Sequence, residues 1–231
     1  MKALIFAAGK GIRLMPLTTE VPKPMVYLLG KPLLSWTMDA LPDEIDEVVV
    51  VVGYKGDVIR DYFGSTWLNR KISYVEQREQ LGTGDALLLC RGHVSEGERF
   101  LLIYADDIHE KSSLSRGCAR RELALFVARV EYPNRFGIVA TDTSDRILGL
   151  EEAPKEPKSA LAVAGAYLLD SGIFDYPPTL EPKGEYFINS MLVPYMKDRE
   201  VFAETVDFWI PVGYPEDLER AEEALRAKGI S

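Results

Sequence analysis

Cysteine is scarce in this chain, with two in 231 residues, Cys90 and Cys118, each among helical-looking neighbours. That scarcity excludes a disulfide framework and a cysteine metal cluster, and a reducing cytoplasm is the expected setting. An excess of basic residues is also missing. Lys and Arg number 27 against 36 Asp and Glu, a formal net charge of −9, so a nucleic-acid partner is not expected. No apolar run approaches the length of a membrane span, and the N-terminus lacks the basic segment and small-residue cleavage site of a signal peptide. A cytoplasmic protein with no membrane partner is therefore expected. Internal repeats, low-complexity tracts and linkers are absent as well, and the length suits one α/β domain over 1–231.

Short apolar or β-branched runs alternate with amphipathic stretches. Residues 2–7, 47–52, 72–76 and 100–104 read as strands, and 32–41, 57–63 and 84–91 as the segments between them. This is the βαβ rhythm of a Rossmann-like, doubly wound α/β sheet, mostly parallel. The valine run 48–52 suits a central strand covered on both faces. The second half changes character. Segments 123–130, 138–141, 147–151 and 161–169 read as further strands, a small β-rich region that makes the sheet mixed, followed by helices near 187–197 and over 215–228. Pro215 suits the first turn of the last helix, Leu218, Ala221, Ala224 and Leu225 form one apolar face, and Gly229 can close its end. The Pro- and Lys-containing stretch 153–158 reads as a loop.

The most informative stretch is the first. An apolar run ending at Ala8 breaks into Gly9-Lys10-Gly11-Ile12-Arg13 and continues through Pro16-Leu17-Thr18 to Pro22-Lys23-Pro24-Met25. A strand delivering backbone to a glycine turn lets amide N–H groups approach an anion, and Arg13 and Lys23 add two fixed charges. This is a grip for a polyphosphate on a small molecule. It is not a P-loop, because no Lys-Ser or Lys-Thr follows the glycines. Nor is it a dinucleotide fingerprint, because Leu14 stands where the third glycine belongs. Local cations and loop amides can invert the field inside one cleft of an acidic protein.

This segment resembles the N-terminal signature of the sugar-1-phosphate nucleotidylyltransferases, the nucleoside-diphosphate-sugar pyrophosphorylases, with Ile12 where the family has Thr or Ser. The resemblance continues in order along nearly the whole chain. Gln77 and Leu81-Gly82-Thr83-Gly84-Asp85-Ala86 resemble the family's element lying against the nucleotide base. A glutamine amide can read an imide edge and Gly82 can let the base near the backbone, although the same letters also fit a helix start capped by Thr83. Tyr104-Ala105-Asp106-Asp107 resembles its Gly-Asp element, whose aspartate binds Mg²⁺; Asp106 is the expected ligand and Asp107 the second choice. Pro133-Asn134-Arg135-Phe136-Gly137 resembles its Pro-x-x-Tyr-Gly element, with Gly137 expected near the sugar. Glu152 and Gly165 match its sugar-site glutamate and glycine, and Glu185 the acid that begins its Glu-Tyr helix.

Three departures stand out. Ala153 occupies the place of the lysine that contacts the sugar phosphate, which Lys155 or Lys158 could replace. Pro211 occupies that of the second metal-binding aspartate, so Mg²⁺ would rest on Asp106, substrate phosphates and water, or borrow Asp107 or Asp207. Tyr214 replaces a threonine in the same turn.

What the resemblance implies is a nucleotide-diphospho-sugar transferase fold. Residues 1–110 would bind the nucleotide and 111–231 the sugar phosphate. Ala7, Ala8, Gly9, Gly11, Arg13, Gln77, Gly82 and Thr83 would hold the nucleotide, Gly137, Glu152 and Gly165 the sugar phosphate, and Arg13, Lys23 and Asp106 would carry catalysis with Mg²⁺. The partners would be a nucleoside triphosphate and a sugar 1-phosphate; a homo-oligomer, the base and the sugar are left open. No hexapeptide repeat follows the last helix, so no fused acyltransferase domain is expected. Two other readings stay open: a cytidylyltransferase for a non-sugar phosphate such as phosphocholine, and a regulatory subunit that kept the nucleotide cleft.

Overall fold

The five valines at 48–52 are all buried, as a strand covered on both faces requires. Their surroundings come from a computed structural model, which describes residues 1–182 and 184–230. In chain order, β1 is Lys2–Ala7, β2 Tyr27–Leu28, β3 Lys31–Pro32, α1 Leu33–Ala40, β4 Glu47–Val52, α2 Gly56–Phe63, β5 Thr66–Trp67, β6 Arg70–Glu76, α3 Thr83–Leu89 and β7 Arg99–Tyr104. There follow β8 Asp107–His109, α4 Lys111–Cys118, β9 Leu123–Arg129, β10 Gly137–Thr141, β11 Ile147–Glu152, β12 Leu161–Asp170, α5 Asn189–Asp198, β13 Val201–Thr205, β14 Trp209–Pro211 and α6 Pro215–Ala227.

The main sheet runs β11-β10-β12-β7-β1-β4-β6-β5, with β9 branching from β12 and β13 pairing with β9. Strands β7, β1, β4 and β6 are mutually parallel. Strand β12 then pairs antiparallel with β7, opening the mixed half. Helices α1, α2 and α4 cover one face through Met38, Ile59, Phe63 and Leu114. Helices α3 and α5 cover the other through Leu87, Leu192 and Tyr195. This is the doubly wound, mixed α/β arrangement that the βαβ rhythm predicts.

Strand β1 has β4 on one side and β7 on the other, so the chain winds in opposite directions from it. Ligands of open α/β sheets bind outside the carboxyl ends of the strands at such a switch point. The glycine turn leaves β1 there, and Asp106 follows β7 at the same edge. A third apolar cluster, formed by Leu14, Val26, Ile210, Val212 and the Ala221 and Leu225 of α6, holds that turn against the last helix. Gly229 closes α6 with a positive φ of 79°.

Several elements, among them α4, β8, β13 and β14, have no counterpart in the sequence reading. Helix α4, KSSLSRGC, has too few apolar residues to show a helical period, while β13 is short and β8 and β14 pair only with each other. Both cysteines are free and buried, and burial pushes each thiol up to about 12. Among the described residues no helix is long and apolar enough to cross a membrane.

Candidate functional site

A cleft of about 980 Å³ opens at the switch point, and every expected site residue lines it except Gly11. Gly11 lies just behind it. Its φ of 65° is left-handed, its carbonyl accepts a 2.9 Å bond from the Thr18 hydroxyl, and a Cβ would come within 2.7 Å of the Cβ of Lys23. Gly11 thus makes room for the lysine stem. The Ile12 side chain is exposed, 68% accessible, so any part it takes in anion binding falls to its backbone.

Lys23 begins a short turn, Lys23–Met25, entered through extended Pro22. The residue is only 8% accessible, and its ammonium forms an ion pair with the carboxylate of Asp106. That pair ties the loop after β1 to the end of β7. A buried ammonium facing one carboxylate at a cleft floor is a preorganised anion site, because its desolvation cost is already met by folding.

Arg13 reaches the opposite lip. Its Nη1 donates to the Tyr214 hydroxyl at 3.5 Å, and its guanidinium carbon lies 4.9 Å from the Tyr214 ring centre. Arg135 approaches the same ring at 5.6 Å. The hydrogen bond and charge of Arg13, with a smaller contribution from Arg135, hold the Tyr214 phenol below its ordinary range. Tyr214 is fixed from below: the buried Asp217 carboxylate accepts from the backbone N–H of Gly213 and of Tyr214, both at 2.8 Å.

On the base side Gln77, Gly82 and Thr83 line the cleft and are each tied to neighbouring backbone or side chains. Gln77 is 5% accessible, and its amide nitrogen donates to the Gly82 carbonyl at 2.9 Å and to Asp85 at 2.8 Å. Its donors therefore brace the loop. Gly82, with a φ of 99°, permits close approach to Tyr186, whose carbonyl oxygen would lie 2.6 Å from a Cβ there. Thr83 does not cap α3. Gly82 holds the cap position, and the Thr83 hydroxyl accepts from the Ile188 N–H at 3.0 Å, stitching α3 to the segment before α5.

On the sugar side, Gly137 and Glu152 face each other across the β10–β11 ladder, and Glu152 accepts from Asn189 Nδ2 at 2.7 Å. Gly165 sits where the β12 register shifts, with a φ of 64°. A Cβ there would collide with the carboxylate of Asp107. Burial first, and the charge of Asp106 second, push the Asp107 carboxyl well above the usual carboxylate range, against the opposing charge of Lys23. Asp107 lines the cleft beside Asp106. Asp207 is not at hand as a second ligand, because it pairs with Arg116 at 3.0 Å and does not line the cleft. Neither lysine replaces the cation absent at Ala153: Lys158 pairs with Glu151 at 2.7 Å, and neither Lys155 nor Lys158 lines the cleft.

The donor set fits a hard cation held mostly by its substrate. Asp106 keeps a side chain 32% accessible at the cleft, Pro211 has no side-chain donor, and among the described residues no group of three His, Cys, Asp or Glu is placed to cage an ion. Sequence reasoning missed Arg135, Asn189 and the partnership of Tyr214. A basic residue beside aromatics in Tyr132-Pro133-Asn134-Arg135-Phe136 was a signal for the first, and Asn189 carried no local signal.

Residues 2–228 match the profile of the family described as nucleotidyl transferase. The chain is 35% identical to the UTP–glucose-1-phosphate uridylyltransferase AglF of Haloferax volcanii, over 98% of this chain and 97% of that protein. It is also 35% identical to the bifunctional protein GlmU of Methanocaldococcus jannaschii, over 99% of this chain but 55% of that protein, so it spans about half the length of such relatives. Among solved structures it superposes with a TM-score of 0.84 on a Bacillus anthracis protein assigned as a glucose-1-phosphate thymidylyltransferase and crystallised with sucrose. The identity is 28%, covering 98% of this chain and 95% of that one.

Proposed function

The chain belongs to the nucleotidyl transferase family, and from that premise we propose that it joins a nucleoside triphosphate to a sugar 1-phosphate, releasing pyrophosphate. The observation that carries this reading is the meeting of Arg13, the buried Lys23 and Asp106 at the carboxyl ends of β1 and β7. A phosphate oxygen of the sugar 1-phosphate bonds to the α-phosphorus, and the bond from that phosphorus to the oxygen bridging to the β-phosphate breaks. The attacking oxygen is already an anion, so no general base is needed. Catalysis reduces to aligning two mutually repelling anions and neutralising the departing pyrophosphate.

Arg13 and the amides around Gly9 and Gly11 hold the β- and γ-phosphates, and Lys23 the α-phosphate. A buried ammonium needs little reorganisation as charge shifts beside it. The backbone at Ala7 and Ala8, with the Gln77 side-chain oxygen and the loop at Gly82 and Thr83, holds the nucleoside; Gly137, Glu152 and Gly165 hold the sugar. Residues 1–110 thus serve one substrate and 111–231 the other. Asp106 would hold a Mg²⁺ ion, which when bound supplies positive charge to the triphosphate. Two free, buried thiols suit a reducing cytoplasm.

A pyrophosphate-release screen of the four ribonucleoside triphosphates and dTTP against hexose 1-phosphates tests the reading. At least one pair should turn over. Nucleotide binding with no release from any pair would make the protein a binding subunit, and release only with an aminoalcohol phosphate would change the acceptor.

A further inference from the structure

If the acceptor is a sugar 1-phosphate, its phosphate needs a cation that position 153 does not supply. The strand pairing brings one next to that position. Gly137 lies opposite Glu152, and the Ala153 N–H donates to the Phe136 carbonyl at 2.9 Å. Arg135 closes the turn Pro133–Arg135 just before β10, so it immediately precedes the residue whose carbonyl is paired with the place of the missing ammonium. Phe136 holds this corner in place by meeting Trp209 edge-on, ring centres 5.4 Å apart.

We propose that Arg135 binds the phosphate of the acceptor, and that Tyr214 is a positioning residue that holds the guanidiniums of Arg135 and Arg13 side by side, one for each substrate. The proposal rests on the reading of the reaction given above. Two guanidiniums repel each other, and a ring whose face is negative is what lets both sit within about 6 Å of one centre. A threonine at 214 has no such face. The three positions therefore form one unit: no cation stands at 153, one stands beside it at 135, and the ring that orients it stands at 214. A guanidinium is also well matched to this duty, since its fork meets two phosphate oxygens at once. An arginine merely stacked on a surface ring would need no access to the sugar-binding residues, yet Arg135 lines the same cleft as Gly137 and Glu152.

The test uses Arg135→Gln, Arg135→Lys, Tyr214→Phe and Tyr214→Thr in the full chain. Steady-state pyrophosphate release is measured with each substrate varied separately. Inorganic phosphate and hexose 1-phosphates are also titrated calorimetrically, with and without non-cleavable α,β-methylene-UTP. Arg135→Gln should raise the acceptor KM about tenfold or more, as loss of a charge-assisted hydrogen bond implies, while the triphosphate KM stays within about twofold. Arg135→Lys should recover part of the loss, Tyr214→Phe should change little because the ring remains, and Tyr214→Thr should raise both KM values. An unchanged acceptor KM in Arg135→Gln, or equal rises for both substrates, overturns the proposal. Should the wild type bind these phosphates yet release no pyrophosphate with any pair, the reaction reading fails alone. Binding then decides for Arg135: weakening in Arg135→Gln upholds it, and unchanged binding overturns it. No binding of any phosphate probe to the wild type overturns it outright.

Discussion

Lys23 shows how much chemistry one buried residue can concentrate. Its stem fills the space left by Gly11, and its ammonium faces Asp106. Lys23→Ala should lower turnover on the order of a hundredfold or more, the scale on which a preorganised charge contributes. The loss of stability should be smaller, about 1–2 kcal/mol, because Asp106 is a third exposed and can rehydrate. Parallel turnover assays and urea titrations check this, and near-normal turnover would remove Lys23 from the mechanism. Asp107 makes the opposite case, a carboxyl whose burial favours its protonated form. Because its native pKa is raised, the folded state holds the proton more tightly than the unfolded chain. That contribution to stability is complete below the ordinary carboxylate value of about 3.9 and is lost as pH rises to the native value. Asp107→Asn should therefore flatten the decline in thermal midpoint over that window, measured by melts at successive pH values, and should leave the midpoint below it unchanged.

At the scale of elements, α3 is placed by a zipper that no periodicity records. The Gly84 N–H donates to the Tyr186 carbonyl at 2.6 Å and the Tyr186 N–H to the Leu81 carbonyl at 2.7 Å, with Gly82 flat against that segment. Gly82→Ala would set a Cβ against backbone at a φ of 99°, where L residues are strained. It should cost about 1–3 kcal/mol in a denaturant titration, and the KM for the triphosphate should rise because the loop carrying Gln77's partners moves. The elements that could be read beforehand were those with a full apolar period, such as β4 with its valines and α6 with its proline start. Helix α4 could not, since Leu114 and Cys118 are its only large buried apolar side chains. The site was legible where one local string carries the chemistry, as from Gly9 to Lys23. It was illegible where partners lie far apart, as with Arg13 and Tyr214, 201 residues distant.

For the whole molecule, the main question is how a chain of net charge −9 attracts a polyanion. Arg13, Lys23 and Arg135 gather at one edge of the sheet, and beyond a Debye length of about 8 Å at physiological salt the remaining acidic surface is screened. Affinity for a triphosphate should thus fall severalfold between about 0.05 and 0.5 M KCl, while affinity for the uncharged nucleoside stays level. Equilibrium dialysis of both ligands separates the two, and equal salt dependence would mean the cationic edge takes no part.

The edge-on contact of Phe136 with Trp209 has an optical consequence. The chain has three tryptophans, and the indole nitrogens of Trp36 and Trp67 donate to Leu28 and Asp39, away from the cleft. Trp209 alone lines the cleft. Its emission, isolated by replacing the other two with phenylalanine, would report occupancy directly, so binding could be followed in stopped flow without labelling either substrate.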